Sequence, residues 1–453
     1  MDTAPQQATA ATQPRPTLTV LDATAMIVGI VIGAGIFRAP SIVAGSVASE
    51  FVFIALWIAG GVLSLVGALC YAELGSAYPS AGGEYSFLKR AFGDRLGFLF
   101  AWARMSVVQT GAIAAIAFVF GDYATQLLSL GDRSNVIYAL LAVAGITLLN
   151  IAGTRESKLA QMILTAALAL AIAAVIVAGL SIGGAPRAPA PPSSGPAFSQ
   201  LALIFILLTY GGWNEAAYLT AEMQDTKRNI VRALVSGIVI VTVLYVLLNL
   251  AYLNVLGLEG MRASKAVAAD LMQATLGSAG AAVLSLIVIA AALSTLNATV
   301  FTGARTNYAL GRDVAMFRLL GRWHDRANAP VPALLAQGAV AVILVLLASY
   351  TPDGFETMVA YTAPAFWLFF MLTGVALFVL RRHEPVNQDH FRVPLYPVLP
   401  LVFCAMCAFM LYSSASYAMS KDPSSIGAQL GLLMLMAGIP LMLIARPGVR
   451  STL

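Results

Sequence analysis

Twelve apolar stretches of about twenty residues, separated by short polar gaps along nearly the whole chain, leave one kind of fold open. Crossing about 30 Å of hydrocarbon takes roughly 20 apolar residues in a helix, and in lipid every main-chain N–H and C=O must find a partner within the protein. The stretches cover residues 20–44, 51–77, 96–128, 134–152, 158–183, 199–223, 230–257, 276–311, 331–350, 354–380, 395–418 and 424–446. Only 10% of residues are charged, against roughly 25% in soluble domains. The chain reads as an all-α integral membrane protein with twelve transmembrane helices.

Orientation follows from the basic residues, which collect on the cytoplasmic side of membranes. With the N-terminus inside, 19 of the 26 Lys and Arg fall in cytoplasmic segments, 5 lie outside, and Arg38 and Arg104 lie within spans. Both termini are therefore expected in the cytoplasm, with the protein multi-pass in the cytoplasmic membrane. Residues 1–18, polar and rich in Pro, Ala and Thr, read as a disordered tail and not a cleaved signal. The net charge of +5 follows from this bias, so it gives no reason to expect nucleic acid as a partner.

Residues able to do bond chemistry are sparse. Cys70, Cys404 and Cys407 lie inside apolar spans, where a small buried hydrophobe is the usual role. His324, His383 and His390 lie in loops without metal-ligand spacing, so neither metal nor cofactor is expected. No GxxxxGK[ST] occurs, which argues against ATP-driven transport. The absence of histidine from every span argues against an intramembrane enzyme.

Two spans carry glycine where a membrane helix is weakest for having it. The first reads VGIVIGAGIFRAP (28–40), with Gly29, Gly33 and Gly35; the sixth reads LLTYGGWNEAAYLTAEM (207–223), with Gly211 and Gly212. Small residues such as Gly29, Gly33 and the pair Gly60 and Gly61 also let helices approach closely. Interruptions in corresponding spans five apart nevertheless match an inverted repeat with discontinuous helices 1 and 6 around a central site.

A break at these points selects its ligand. The second half of span one begins near Gly35 and Ile36 and offers free N–H groups and a positive dipole end, a place for a carboxylate. The first halves of spans one and six end near Val31 and near Leu208 to Gly211 and offer carbonyls, a place for an amine. One small solute carrying both charges, an α-amino acid, satisfies both.

At these residues the chain resembles the amino acid/polyamine/organocation (APC) transporters, and within them the bacterial L-type amino acid transporters. The resemblance rests on GAGIF (33–37), YAELGSAYPSAGGEYSFLKRAFG (71–93), TYGGWNEAAYLTAEM (209–223), SKAVAADL (264–271), ARTNYALGRD (304–313), FWLFF (366–370) and FRVPLYPVLPL (391–401), in the family's order. It implies the leucine-transporter-like fold, a five-plus-five inverted repeat at 19–183 and 199–381 joined by a Pro-rich extracellular loop (184–198). A cytoplasmic loop (382–394), two further helices (395–446) and a C-terminal tail (447–453) follow. It also implies a substrate carboxylate on the amides of Gly33, Ala34, Gly35 and Ile36, an amine on the carbonyls of Val31, Leu208 and Gly211, and Leu208, Tyr210, Gly212 and Trp213 shaping pocket or gate. Tyr210 and Trp213 fit packing as well as contact.

The chain departs from the family at Leu208, where an aromatic lid is usual, at Ala34, where a small hydroxyl is common, and at Leu168, where a lysine stands. Ser294 and Thr295 can supply hydroxyl ligands to Na⁺ or bond their own helix. Glu215, in the first turn after the second break, is a candidate for proton or cation coupling. Glu73 and Arg104 suit an ion pair or loop anchor, proton coupling being the other reading, and Arg38 suits the outer vestibule or the headgroup layer. The expected function is exchange or uniport of small neutral L-amino acids by alternating access. A sodium- or proton-coupled symporter and an amino-acid sensor without transport are the alternatives.

Overall fold

Where the sequence stays apolar without interruption the chain is one long helix, and where glycines cut the first and sixth stretches it is not. The computed structural model describes residues 18–80, 83–152, 158–182, 198–220, 223–324, 329–383 and 390–444. Residues 1–17, 184–197, 384–389 and 447–453 of the expected tails and loops lie outside that set.

Chain order is α1 (Val20–Val31), a 3-10 turn (Ala34–Phe37), α2 (Ala39–Gly45), α3 (Glu50–Ala77), α4 (Gly83–Phe92) and α5 (Asp94–Ala103). A π-helical turn (Arg104–Val108) leads into α6 (Gln109–Leu127), then α7 (Ser134–Ile151), α8 (Lys158–Ser181) and α9 (Gln200–Thr209). A second 3-10 turn (Trp213–Glu215) precedes α10 (Ala216–Leu219), α11 (Thr226–Ala263), α12 (Val267–Asp313), α13 (Val331–Ala348), α14 (Gly354–His383), α15 (Val398–Ala418) and α16 (Ile426–Ile444). Among the described residues 9 helices are long and apolar enough to cross a membrane, and extended pairing is confined to isolated bridges.

Two of the expected bounds, 257 and 276, fall at breaks in the backbone. α11 is interrupted at Gly257 (φ +63°) and α12 at Gly277 (φ +73°), so short helical segments at 258–263 and 267–276 join the long part of α11 to the long part of α12.

α1 is started by its own sequence. Thr19 Oγ1 accepts the Asp22 N–H at 3.2 Å while the Asp22 carboxylate accepts the Thr19 N–H at 3.0 Å, a reciprocal cap that satisfies two first-turn donors. Glycines set the closest helix contacts. A methyl group on Gly60 would lie 2.4 Å from Ile206 Cγ2 of α9, and one on Gly61 would lie 2.4 Å from Thr242 Oγ1 of α11. α3 therefore packs against both through its bare backbone, the small-residue contact expected in membranes.

The two broken spans are stitched together at both ends. Leu18, ahead of α1, bridges to Met223, and its carbonyl accepts the Gln224 N–H at 3.0 Å beyond α10. At the other end Val47 bridges to Phe198, and the Ser46 carbonyl accepts the Ser199 N–H at 2.8 Å.

Candidate functional site

Span one leaves the helix after Val31. The N–H of Ile32 still reaches the Val28 carbonyl at 2.8 Å, the N–H of Gly33 turns back to the Val31 carbonyl at 2.7 Å, and Gly33 itself is extended. The chain re-enters helical geometry at Ala34, where the first N–H groups of a helix have no partner inside it. Gly35 and Ile36 belong to the same turn.

Span six breaks in a different way. The Gly211 N–H closes on the Leu208 carbonyl at 3.0 Å, and Gly212 then takes φ +110° before the Trp213–Glu215 turn begins. That left-handed conformation favours glycine.

The breaks lie side by side. A methyl on Gly212 would come 3.1 Å from Ile30 Cγ2, and the nearest atoms to one on Gly35 are those of the Thr209 side chain at 3.9 Å. Gly33 and Gly35 therefore differ from Gly60 and Gly61, because no neighbouring helix presses into the space beside them. Glycine there leaves backbone accessible and does not make room for packing.

Tyr245 of α11, which the sequence reading did not single out, joins the two ends. Its hydroxyl lies 2.8 Å from the Val31 carbonyl and 3.2 Å from the Thr209 carbonyl. The Val31 carbonyl, expected to take an amine, thus already accepts from Tyr245 and Gly33. A tyrosine inside an apolar run is common, and nothing in the sequence alone marked this one.

Tyr210 is buried, donates its hydroxyl to the Trp57 carbonyl at 2.9 Å and has its ring 5.1 Å from that of Tyr245. It packs between α3 and α11. Trp213 sits in an aromatic cluster with Tyr71 at 5.1 Å, Phe370 at 5.4 Å and Phe403 at 6.4 Å. Leu208 is half-buried. Phe366 reaches within 3.7 Å of a methyl placed on Gly211, which brings the FWLFF motif to the second break.

The coupling candidates separate. Thr295 gives its hydroxyl to the Ala291 carbonyl of its own helix at 3.0 Å. Ser294 precedes it on α12, which packs against the 3-10 turn of span one. Leu168 is buried on α8, which packs on α11 and α12. Glu215 pairs with Arg104 of the π-helical turn, at 3.3 and 3.5 Å to its two oxygens.

Arg38 is held inside the protein and does not reach out to a headgroup layer. It is buried at 3% exposure, with its Nε 3.2 Å from Asp122 Oδ2 of α6 and its Nη2 on Asp353, just ahead of α14. Two carboxylates and the hydroxyl of Ser41 outweigh the pull of the headgroups. Glu73 is bound by both Nε and Nη2 of Arg381 at 2.5 Å and accepts the Val393 N–H at 2.7 Å. It thereby anchors the end of α14 and the segment that precedes α15.

An all-helical membrane protein with two spans broken side by side, each break turned toward the other, falls in the class of secondary transporters. A family model for amino acid permeases matches residues 18–438. The chain belongs to that family, within the APC superfamily. It is 31% identical over 86% of its length to the b(0,+)-type amino acid transporter 1 of Rattus norvegicus, covering 81% of that protein. It is 28% identical to the serine/threonine exchanger SteT of Bacillus subtilis, over 93% of this chain and 94% of that one. To the large neutral amino acids transporter small subunit 2 of Mus musculus it is 31% identical over 93% of its length, covering 79% of that protein.

Proposed function

We propose that the protein exchanges small neutral L-amino acids across the cytoplasmic membrane by alternating access, with the zwitterion held between the two helix breaks. The observation that supports this reading is the loose fit around Gly33 and Gly35, where an added methyl would meet nothing closer than 3.9 Å, beside a second break at Gly212. The carboxylate lies on the amides of Ala34, Gly35 and Ile36, where the helix end favours negative charge; the Gly33 N–H, also expected there, is turned back to the Val31 carbonyl at 2.7 Å. The ammonium lies on the carbonyls of Leu208 and Gly211. The Val31 carbonyl contributes through its Tyr245 bond, because its two internal donors leave it little capacity for a third.

Twelve spans follow if the two broken segments and α8 are each counted with the 9 long apolar helices. Spans one to five and six to ten then form the inverted repeat, with both termini cytoplasmic. The backbone bridges at both ends of the broken pair support their moving as one body. The buried pairing of Arg38 with Asp122 and Asp353 supports a closed outer side in this conformation. Exchange is favoured over sodium symport because the similar SteT is an exchanger.

The test is uptake of labelled alanine, serine, threonine and leucine into proteoliposomes, with and without internal unlabelled substrate, and with Na⁺ or pH gradients imposed separately. Stimulation by internal substrate is the expected result. Accumulation that follows the Na⁺ gradient would replace exchange with symport, and binding without flux would make the protein a sensor.

A further inference from the structure

A second buried ionisable group stands beside the Arg104–Glu215 pair, and the transport reading leaves it unused. Glu84, on the first turn of α4, is 4% exposed. Tyr71 of α3 donates its hydroxyl to the Glu84 carboxylate, and the Asn214 side chain is hydrogen-bonded to it as well. Asn214 Oδ1 in turn accepts the Gly212 N–H at 3.3 Å. A chain of side chains therefore runs from Glu84 to the residue where span six breaks.

The charges around this chain do not balance. Arg104 is the guanidinium that acts on both Glu84 and Glu215, so one cation faces two carboxyl groups. Among the described residues, the other cations near α4 have contacts of their own; Arg90 lies over the Tyr78 ring. On α5, Asp94 pairs with Lys89 at the exposed surface and Arg95 is exposed. On α14, Tyr361 donates to the Ser106 carbonyl, Glu356 holds Tyr417, and Arg381 is committed to Glu73.

We propose that Glu84 is a proton-binding switch: its ionisation draws Arg104 from Glu215 and Asn214 from Gly212, loosening span three from the second half of span six. The proposal rests on the reading of spans one and six as the moving pair. Burial pushes the Glu84 carboxyl up to about 7, against the lowering effects of Tyr71, Arg104 and Asn214. Protonated, Glu84 adds no charge beside Arg104, and the Arg104–Glu215 link between the π-helical turn and span six is closed. Ionised, it places a second negative charge beside the same guanidinium, and the link opens.

The test is exchange in proteoliposomes across roughly pH 5 to 9, together with infrared difference spectra of the purified protein over the same range. The expected wild-type exchange rate rises at least about threefold through neutral pH. Glu84→Gln, which keeps a polar group for Tyr71 but cannot ionise, holds the low-pH rate throughout. Glu84→Asp keeps a pH dependence with a displaced midpoint. The spectra carry the C=O band of a buried carboxylic acid that bleaches near neutral pH in wild type and shifts in Glu84→Asp. A flat wild-type profile in an active exchanger, or an unchanged profile in Glu84→Gln, overturns the proposal. If no amino acid is transported the exchange reading fails alone, and the infrared titration still decides: absence of a bleaching carboxyl band removes the switch.

Discussion

Tyr245 donates its hydroxyl to the Val31 carbonyl across 2.8 Å, and in doing so fastens the long helix α11 to the cut end of a broken one. The same hydroxyl reaches the Thr209 carbonyl at 3.2 Å. Both interruptions are thus held in register by one buried side chain. Tyr245→Phe removes the donor while keeping the ring contacts with Trp57 and Tyr210. The expected loss of stability is about 1 kcal/mol, the scale of side-chain hydrogen bonds in membrane proteins. Exchange should fall by about tenfold or more, since a 1.4 kcal/mol loss in site geometry suffices for that. Thermal melts and initial exchange rates on the same preparation check the pair.

Gly35 and Gly60 should respond to alanine in opposite ways. A methyl on Gly60 meets Ile206 Cγ2 at 2.4 Å, so Gly60→Ala forces α3 from α9 and costs about 1–3 kcal/mol. The methyl of Gly35→Ala meets nothing closer than 3.9 Å. That variant should fold with wild-type stability and lose substrate affinity, because the methyl stands where the carboxylate approaches the backbone.

Replacing Arg38 with Gln leaves Asp122 and Asp353 without their shared cation. Breaking a buried pair from one side costs about 3–5 kcal/mol, so Arg38→Gln should express poorly. Adding Asp122→Asn should recover part of the loss in a double-mutant cycle. A simple sum of the two single effects would contradict the pairing.

Glu84 also predicts how stability varies with pH. Its carboxyl is raised from an ordinary 4.5 to about 7 in the folded protein. Between those values the folded state binds more protons than the unfolded one, so stability falls as pH rises through the window. Melting temperatures of wild type should decline from about pH 5 to about pH 7 more steeply than those of Glu84→Gln. Parallel curves would contradict the raised carboxyl.

The two breaks were legible in the sequence because glycines interrupt the first and sixth apolar stretches in corresponding places, five spans apart; a lone pair such as Gly60 and Gly61 announces nothing, and α3 runs through it unbroken. The ion pairs were not legible. Arg38 meets its acids 84 and 315 residues away, and Glu73 meets Arg381 across 308, so hydropathy could give the depth of each charge but not its partner. Tyr245 was hidden for a related reason. A tyrosine in an apolar span is ordinary until the packing of α11 on α1 brings its hydroxyl to two carbonyls. Gly60 and Gly33 look alike in sequence, and only the neighbouring helix separates a packing glycine from an open one.

Equilibrium binding of an amino acid and two of its derivatives, one with the carboxylate converted to an amide and one with the amine acetylated, tests the zwitterion site most directly. Charge-assisted hydrogen bonds are worth about 1.5–3 kcal/mol, so each derivative should bind about tenfold to a hundredfold more weakly than the parent. Gly35→Ala should abolish the advantage of the free carboxylate. Equal affinity of the parent and both derivatives would mean that the helix ends do not hold the solute.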